Sequence, residues 1–193
     1  MRTFVYFSAS ARTSGNFDIK NLMDAGRMDI AMHVIINAFF LSHSLRDDVV
    51  LHLVFYGMPD PPKHIEIRVN KDTSLSKKDT ATLIKKILYK YKKGKKIEAM
   101  PGCFVEKKSF LHVLEELAKE GNEIFILDKE GKNLRDAKIT ENSVFVIGDH
   151  NGLPKKELKR LKKVAQTISI GPKVYFASQV VSILNNEMDL RGF

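Results

Sequence analysis

The chain has 193 residues, 44% of them hydrophobic, a formal net charge of +9 and a single cysteine, Cys103. That composition supports a packed core and excludes a disordered chain. One cysteine excludes an internal disulfide and fits a reducing compartment, and no apolar run reaches the eighteen or more residues of a membrane-spanning helix.

The opening segment, Met1-Arg2-Thr3-Phe4-Val5-Tyr6-Phe7, reads as a strand. It lacks the apolar stretch and cleavage site of a signal peptide, so a soluble, cytoplasmic protein is expected, with no membrane partner. Residues 8–18 are rich in Ser, Thr, Gly and Asn and read as a polar loop. Ile30, Val34, Ile35, Ala38, Phe39 and Leu41 recur at helical spacing and predict a helix over 29–41. A strand over 49–56, the turn Gly57-Met58-Pro59-Asp60-Pro61-Pro62 and an alternating segment over 65–69 predict a hairpin.

A helix over 79–91 runs into a lysine-dense stretch ending at Lys96. A third helix is predicted over 107–120, with Gly121 as its stop. Strands over 123–127, 143–147 and 166–170 follow, with a short basic helix at 154–163 and a last helix from Val174 to Asn186. Alternating strands and helices predict an α/β fold with a largely parallel sheet. A single domain over 1–193 is expected, with 49–69 as its β-hairpin decoration.

Several signatures are missing. No G-x-G-x-x-G follows a strand, no G-x-x-x-x-G-K-[ST] marks a P-loop, and no G-x-S-x-G marks a hydrolase. The histidines are scattered and no Cys/His cluster has zinc spacing, so no metal is expected.

Glycine loops carry the positive signal. Gly148-Asp149-His150-Asn151-Gly152-Leu153-Pro154 and Ser169-Ile170-Gly171-Pro172 both follow strand runs, where ligand crevices of parallel sheets lie. Glycine there lets a ligand reach bare backbone. The competing reading is a plain turn into a helix that Pro154 would start. Gly26-Arg27-Met28-Asp29-Ile30 places an arginine and a carboxylate at the start of an apolar helix, where Asp29 also reads as a simple cap.

Lysines crowd residues 85–96 and 155–163. With the net charge of +9, they favour a nucleic-acid partner gripped through phosphates. Tyr89 and Tyr91 within the first run could stack on bases or face the core.

Taken together, Gly148 to Pro154, the Ser169 to Pro172 loop, Ala177-Ser178-Gln179, Thr13 to Asp18, Gly26 to Ile30 and Asn37 to His43 resemble the TrmY family of archaeal tRNA pseudouridine N1-methyltransferases. The Arg-x-Asp-Ile pattern is also similar to that of a related family acting on ribosomal RNA. The resemblance covers essentially the whole chain. It implies the SPOUT fold, an α/β sheet with a C-terminal trefoil knot, usually a homodimer. It implies S-adenosyl-methionine as cofactor, held by Leu127, Gly148, Ser169, Ile170, Gly171, Pro172, Val174 and Tyr175, the last two opening the final helix. Some members carry a cysteine where Val180 stands.

The implied reaction methylates N1 of a pseudouridine in the tRNA T-loop, at position 54. Asp29 is the first candidate for the proton acceptor and Asp149 the second. Arg27, Arg12 and Lys20 are candidates for holding the RNA. Met188, Leu190 and Phe193 form an apolar tail that would pack on its own domain or across a two-fold axis. A ribosomal RNA pseudouridine methyltransferase and a non-catalytic RNA-binding module stand as alternatives.

Overall fold

A computed structural model describes residues 1–163 and 165–193. Among the described residues, eight strands form one sheet: β1 (Arg2–Ser8), β2 (Val49–Phe55), β3 (Lys63–Arg68), β4 (Ile97–Met100), β5 (Cys103–Glu106), β6 (Glu123–Asn133), β7 (Ser143–Gly148) and β8 (Gln166–Ser169). Their order is β4-β5-β3-β2-β1-β7-β6-β8. The five strands from β2 to β8 in that order are parallel, and β3, β5 and β4 extend the sheet antiparallel.

Five helices cover the sheet: α1 (Met28–Phe39), α2 (Thr80–Tyr89), α3 (Phe110–Lys119), α4 (Lys155–Leu161) and α5 (Ala177–Leu190). Successive residues of β1 point to opposite faces. Phe4 and Tyr6 join a core built with α1, α2 and α5. Val5 and Phe7 join a smaller core with α3 and α4.

Three expectations need correction. Residues 49–69 are no appendage, because β2 pairs with β1 in parallel as well as with β3. The strands β4 and β5 were hidden behind the lysine run: each has four residues, too few for alternation to stand out. The last helix starts at Ala177, after Val174 and Tyr175, with the Phe176 N–H donating to the Gln179 side chain at 3.0 Å.

Charged groups bind the end of α5 to the start of the sheet. The buried Arg2 guanidinium donates to the carbonyls of Asn185 at 3.1 Å and Phe193 at 2.6 Å. It also pairs with Asp48 and Asp189. Arg191 donates to the carbonyls of Ala137 at 2.9 Å and Leu134 at 3.0 Å, beyond the end of β6.

A second polar chain runs across β2, β3 and β5. His52 Nδ1 lies 2.9 Å from His64 Nε2, and His64 Nδ1 lies 3.1 Å from Glu106. Burial holds the His52 pKa down to about 3, against an ordinary 6.5. The His64 hydrogen bond holds Glu106 at about 2, against 4.5. Below pH 6.5 the unfolded chain takes up a proton that folded His52 refuses, and below 4.5 the same holds for Glu106. Stability measured by urea unfolding should therefore be flat above about pH 6.5 and fall from there toward about pH 2. A midpoint constant down to about pH 5 would contradict this arrangement of His52.

Candidate active site

The C-terminal ends of β7 and β8 and the middle of β6 enclose a cavity of about 350 Å³. That volume is within the range of small-molecule sites. Leu127, Gly148, Ser169, Ile170, Gly171, Val174 and Tyr175 line it. Pro172 faces instead a neighbouring cavity of about 310 Å³, which shares Ile170, Gly171 and Tyr175. The parallel register sets these loops side by side: Phe7 pairs with Gly148, and Leu127 pairs with Ile168.

Gly148 is required by close packing. A Cβ there would lie 2.7 Å from the Gly152 carbonyl carbon, so a side chain would push the 149–152 turn away from β7. The walls are mixed. Ile147, Ile168 and Val180 supply apolar surface, and Asp128, Lys129 and Lys173 bring charge. Apolar walls with exposed loop backbone and a few polar groups fit a nucleoside carrying a charged amino-acid tail, and so fit S-adenosyl-methionine. Asp128 directly follows the strand run ending at Leu127. That adjacency was its only sequence signal. Its carboxylate pairs with Lys162 at 2.5 Å, which holds its pKa below the ordinary range.

Asp149 lines the cavity but its carboxylate is engaged in the loops. One oxygen accepts from Ser8 Oγ at 2.9 Å and the Ala9 N–H at 3.0 Å; the other accepts from the Asn151 N–H at 2.8 Å. Ser8 Oγ in turn accepts from the Ala11 N–H at 3.1 Å. Asp149 thus holds the loop after β1 against the loop after β7.

Arg27 and Asp29 form the second part of the site. Gly26 (φ 70°) and Arg27 (φ 63°) are both left-handed, and a Cβ on Gly26 would run into the Ser10 carbonyl. Arginine in that region is strained. The conformation sends its side chain back along α1: Nε reaches one oxygen of Asp29 and Nη2 the other, both at 3.0 Å. This forked hydrogen bond keeps the Asp29 pKa below the usual carboxylate range. Asp29 sits in the first turn of α1, while the N-cap position is held by Arg27, whose side chain makes no capping hydrogen bond.

Charges of both parts act on Tyr6. Its hydroxyl is buried near Ser8, with no hydrogen bond of good geometry among the described residues. Burial raises its pKa, the charge of Asp149 raises it further, and Asp29 and Arg27 also act on it. In sequence Tyr6 reads only as one more apolar residue of the first strand.

Other candidates fall elsewhere. The Arg12 side chain turns back on its own loop to the Asn16 carbonyl at 3.0 Å, and Lys20 is exposed. Neither lines the cavity. Tyr89 is exposed, whereas Tyr91 lies under Lys63, 4.1 Å from its ring centre. Met188 packs into its own core, and Leu190 and Phe193 remain exposed.

Replacement of Asp149 separates a loop-holding role from a basic one. Asp149→Asn leaves one amide group facing a backbone donor and should lower unfolding stability by about 1–3 kcal/mol, measured in urea. Unchanged stability with a lost reaction would instead make Asp149 the base.

All 193 residues match the model of a family described as "Putative SAM-dependent RNA methyltransferase". A Vibrio parahaemolyticus protein named "Putative pseudouridine methyltransferase" is 36% identical, over 100% of this chain and 100% of its own length. The tRNA (pseudouridine(54)-N(1))-methyltransferase of Methanococcoides burtonii is 35% identical, over 98% of this chain and 96% of its own. The crystal structure of Archaeoglobus fulgidus Nep1 bound to S-adenosylhomocysteine aligns with a TM-score of 0.64 at 16% identity, over 100% of this chain and 99% of that one. That likeness speaks for the fold, which is of SPOUT type. On the full-length match and these identities, the chain belongs to the TrmY family of SAM-dependent RNA methyltransferases.

Proposed function

We propose that the chain methylates N1 of a pseudouridine in RNA, and that its substrate is position 54 in the T-loop of tRNA. The observation that carries this reading is a glycine-looped cavity at the C-terminal ends of the parallel strands, in a chain that also holds a forked Arg27–Asp29 pair at the start of α1. The names of the archaeal relatives support the choice of nucleotide.

Leu127, Gly148, Ser169, Ile170, Gly171, Val174 and Tyr175 would hold S-adenosyl-methionine. When bound, the cofactor supplies a methyl group already activated on sulfur. The residues of the chain then have to orient the base and handle one proton. Pseudouridine N1 carries a proton that leaves as its lone pair takes the methyl. Asp29, kept anionic by Arg27, accepts a hydrogen bond from N1–H and then the proton, which passes to solvent. Arg27 spends Nε and Nη2 on Asp29. Its Nη1 is left to stabilise negative charge developing on a ring carbonyl. A base inside a folded T-loop must turn out of its stack to reach this pair.

Residues 1–193 act as one methyltransferase unit in this reading, in the cytoplasm. The C-terminal knot is part of the proposal. It is supported by the close crossing of Gly131 over the Ile168 backbone and by Arg191 returning to the carbonyls beyond β6. A homodimer is supported by the exposed Phe176, Leu190 and Phe193, apolar groups that a second copy would cover.

Asp29→Asn should lower kcat by about 10²–10⁴-fold while S-adenosylhomocysteine binding, measured by calorimetry, stays unchanged. Arg27→Gln should act in the same direction. Full turnover by Asp29→Asn would remove Asp29 from the reaction.

A further inference from the structure

The helix α4 has two dissimilar sides. On its inner side Leu158 lines the cavity, with Leu153 just before the helix, and Leu161 is buried in the smaller core. On its outer side Lys155, Lys156, Lys159 and Arg160 are exposed, as is Lys163 just past its end. None of these five forms an ion pair among the described residues, whereas their neighbour Lys162 is bound to Asp128. Glu157 is the one acidic residue of the helix, and burial pushes its carboxyl up, toward the neutral form.

The five cations fall at i, i+1, i+4, i+5 and i+8, a continuous stripe. Each i,i+4 pair within it is repulsive. A helix of seven residues has little intrinsic stability to set against that repulsion. The stripe is therefore unbalanced within the chain, and a polyanion would balance it.

We propose that α4 holds the phosphodiester backbone of the RNA substrate across the mouth of the cofactor cavity. This rests on the RNA methyltransferase reading given above, and adds which surface bears the RNA. The other lysine-rich segment is differently placed. Lys85 donates to the Phe17 carbonyl at 2.5 Å and Lys96 to Glu66 at 2.8 Å. Lys92, Lys93 and Lys95 precede β4, at the opposite edge of the sheet from β8. Six strand spacings of ~4.8 Å separate β4 from β6, where Lys162 at the end of α4 is anchored on Asp128, roughly 30 Å. Phosphate contacts of this type position RNA without reading its sequence, so the α4 stripe sets affinity and leaves nucleotide choice to the cavity.

The test uses the full chain and a T-arm transcript carrying pseudouridine. One variant combines Lys155→Gln, Lys156→Gln, Lys159→Gln and Arg160→Gln. A charge-removal control combines Lys92→Gln, Lys93→Gln and Lys95→Gln. Transcript Kd is measured between about 50 and 300 mM salt, and S-adenosylhomocysteine binding by calorimetry. The α4 variant should bind the transcript at least ~30-fold more weakly at the low-salt end, with the slope of log Kd against log salt reduced by about 3. Its S-adenosylhomocysteine affinity and the control's transcript affinity should stay within about threefold of the parent. Wild-type-like RNA affinity and slope in the α4 variant would overturn the proposal, as would an equal loss in the control. Should the fourfold variant lose S-adenosylhomocysteine binding, single Lys156→Gln and Lys159→Gln chains serve instead, each expected to reduce the slope by about 0.7–0.9. Unaltered slopes in both would equally overturn it. Label transfer by the parent chain reports on the methyltransferase reading separately, because it needs no α4 variant.

Discussion

The site depends on one buried carboxylate. Asp149 accepts hydrogen bonds from Ser8, Ala9 and Asn151, and so ties together the loops that leave β1 and β7. Without it, the Ser8 hydroxyl and the Ala9 and Asn151 N–H groups at the C-terminal ends of β1 and β7 would lose their shared acceptor. Everything proposed for the reaction stands on either side of this tie: the cavity beyond Gly148, and the loop that carries Arg27 and Asp29 to the start of α1. Tyr6 is buried, and the charges of Asp149, Asp29 and Arg27 all act on its hydroxyl.

A second constraint is how the chain closes on itself after β8. Arg2 and Arg191 draw α5 against the first strand and the segment beyond β6. The helix that follows the loop of residues 169–176 is thereby anchored at its C-terminal end. The ion pair of Lys162 with Asp128 does the same for α4. Rigid loops of this kind hold a ligand with less entropy to surrender on binding.

The parallel half of the sheet was readable in the sequence, because apolar runs such as Glu123 to Leu127 and Ser143 to Gly148 alternate with long helical patterns. Strands β4 and β5 were not, since four residues beside a lysine run hold too little periodicity. The cavity was foreshadowed by glycine loops and by resemblance, and seven of the eight residues named for the cofactor line it. Pro172 is the exception: it faces the adjoining cavity. Spacing alone could not separate a catalytic Asp149 from a loop-holding one. That required the positions of Ser8 and Ala9, some 140 residues away along the chain. Nor could it show that Arg27 turns back on Asp29, because the left-handed backbone that directs it is imposed by Gly26 packing on Ser10.

The most direct test of the account is label transfer from S-adenosyl-methionine to two otherwise identical T-arm transcripts, one with pseudouridine and one with uridine at position 54. Label is expected in the pseudouridine transcript alone, because only that base presents a proton-bearing N1 to Asp29. Equal labelling of both transcripts, or labelling of neither by a chain that binds S-adenosylhomocysteine, would contradict it.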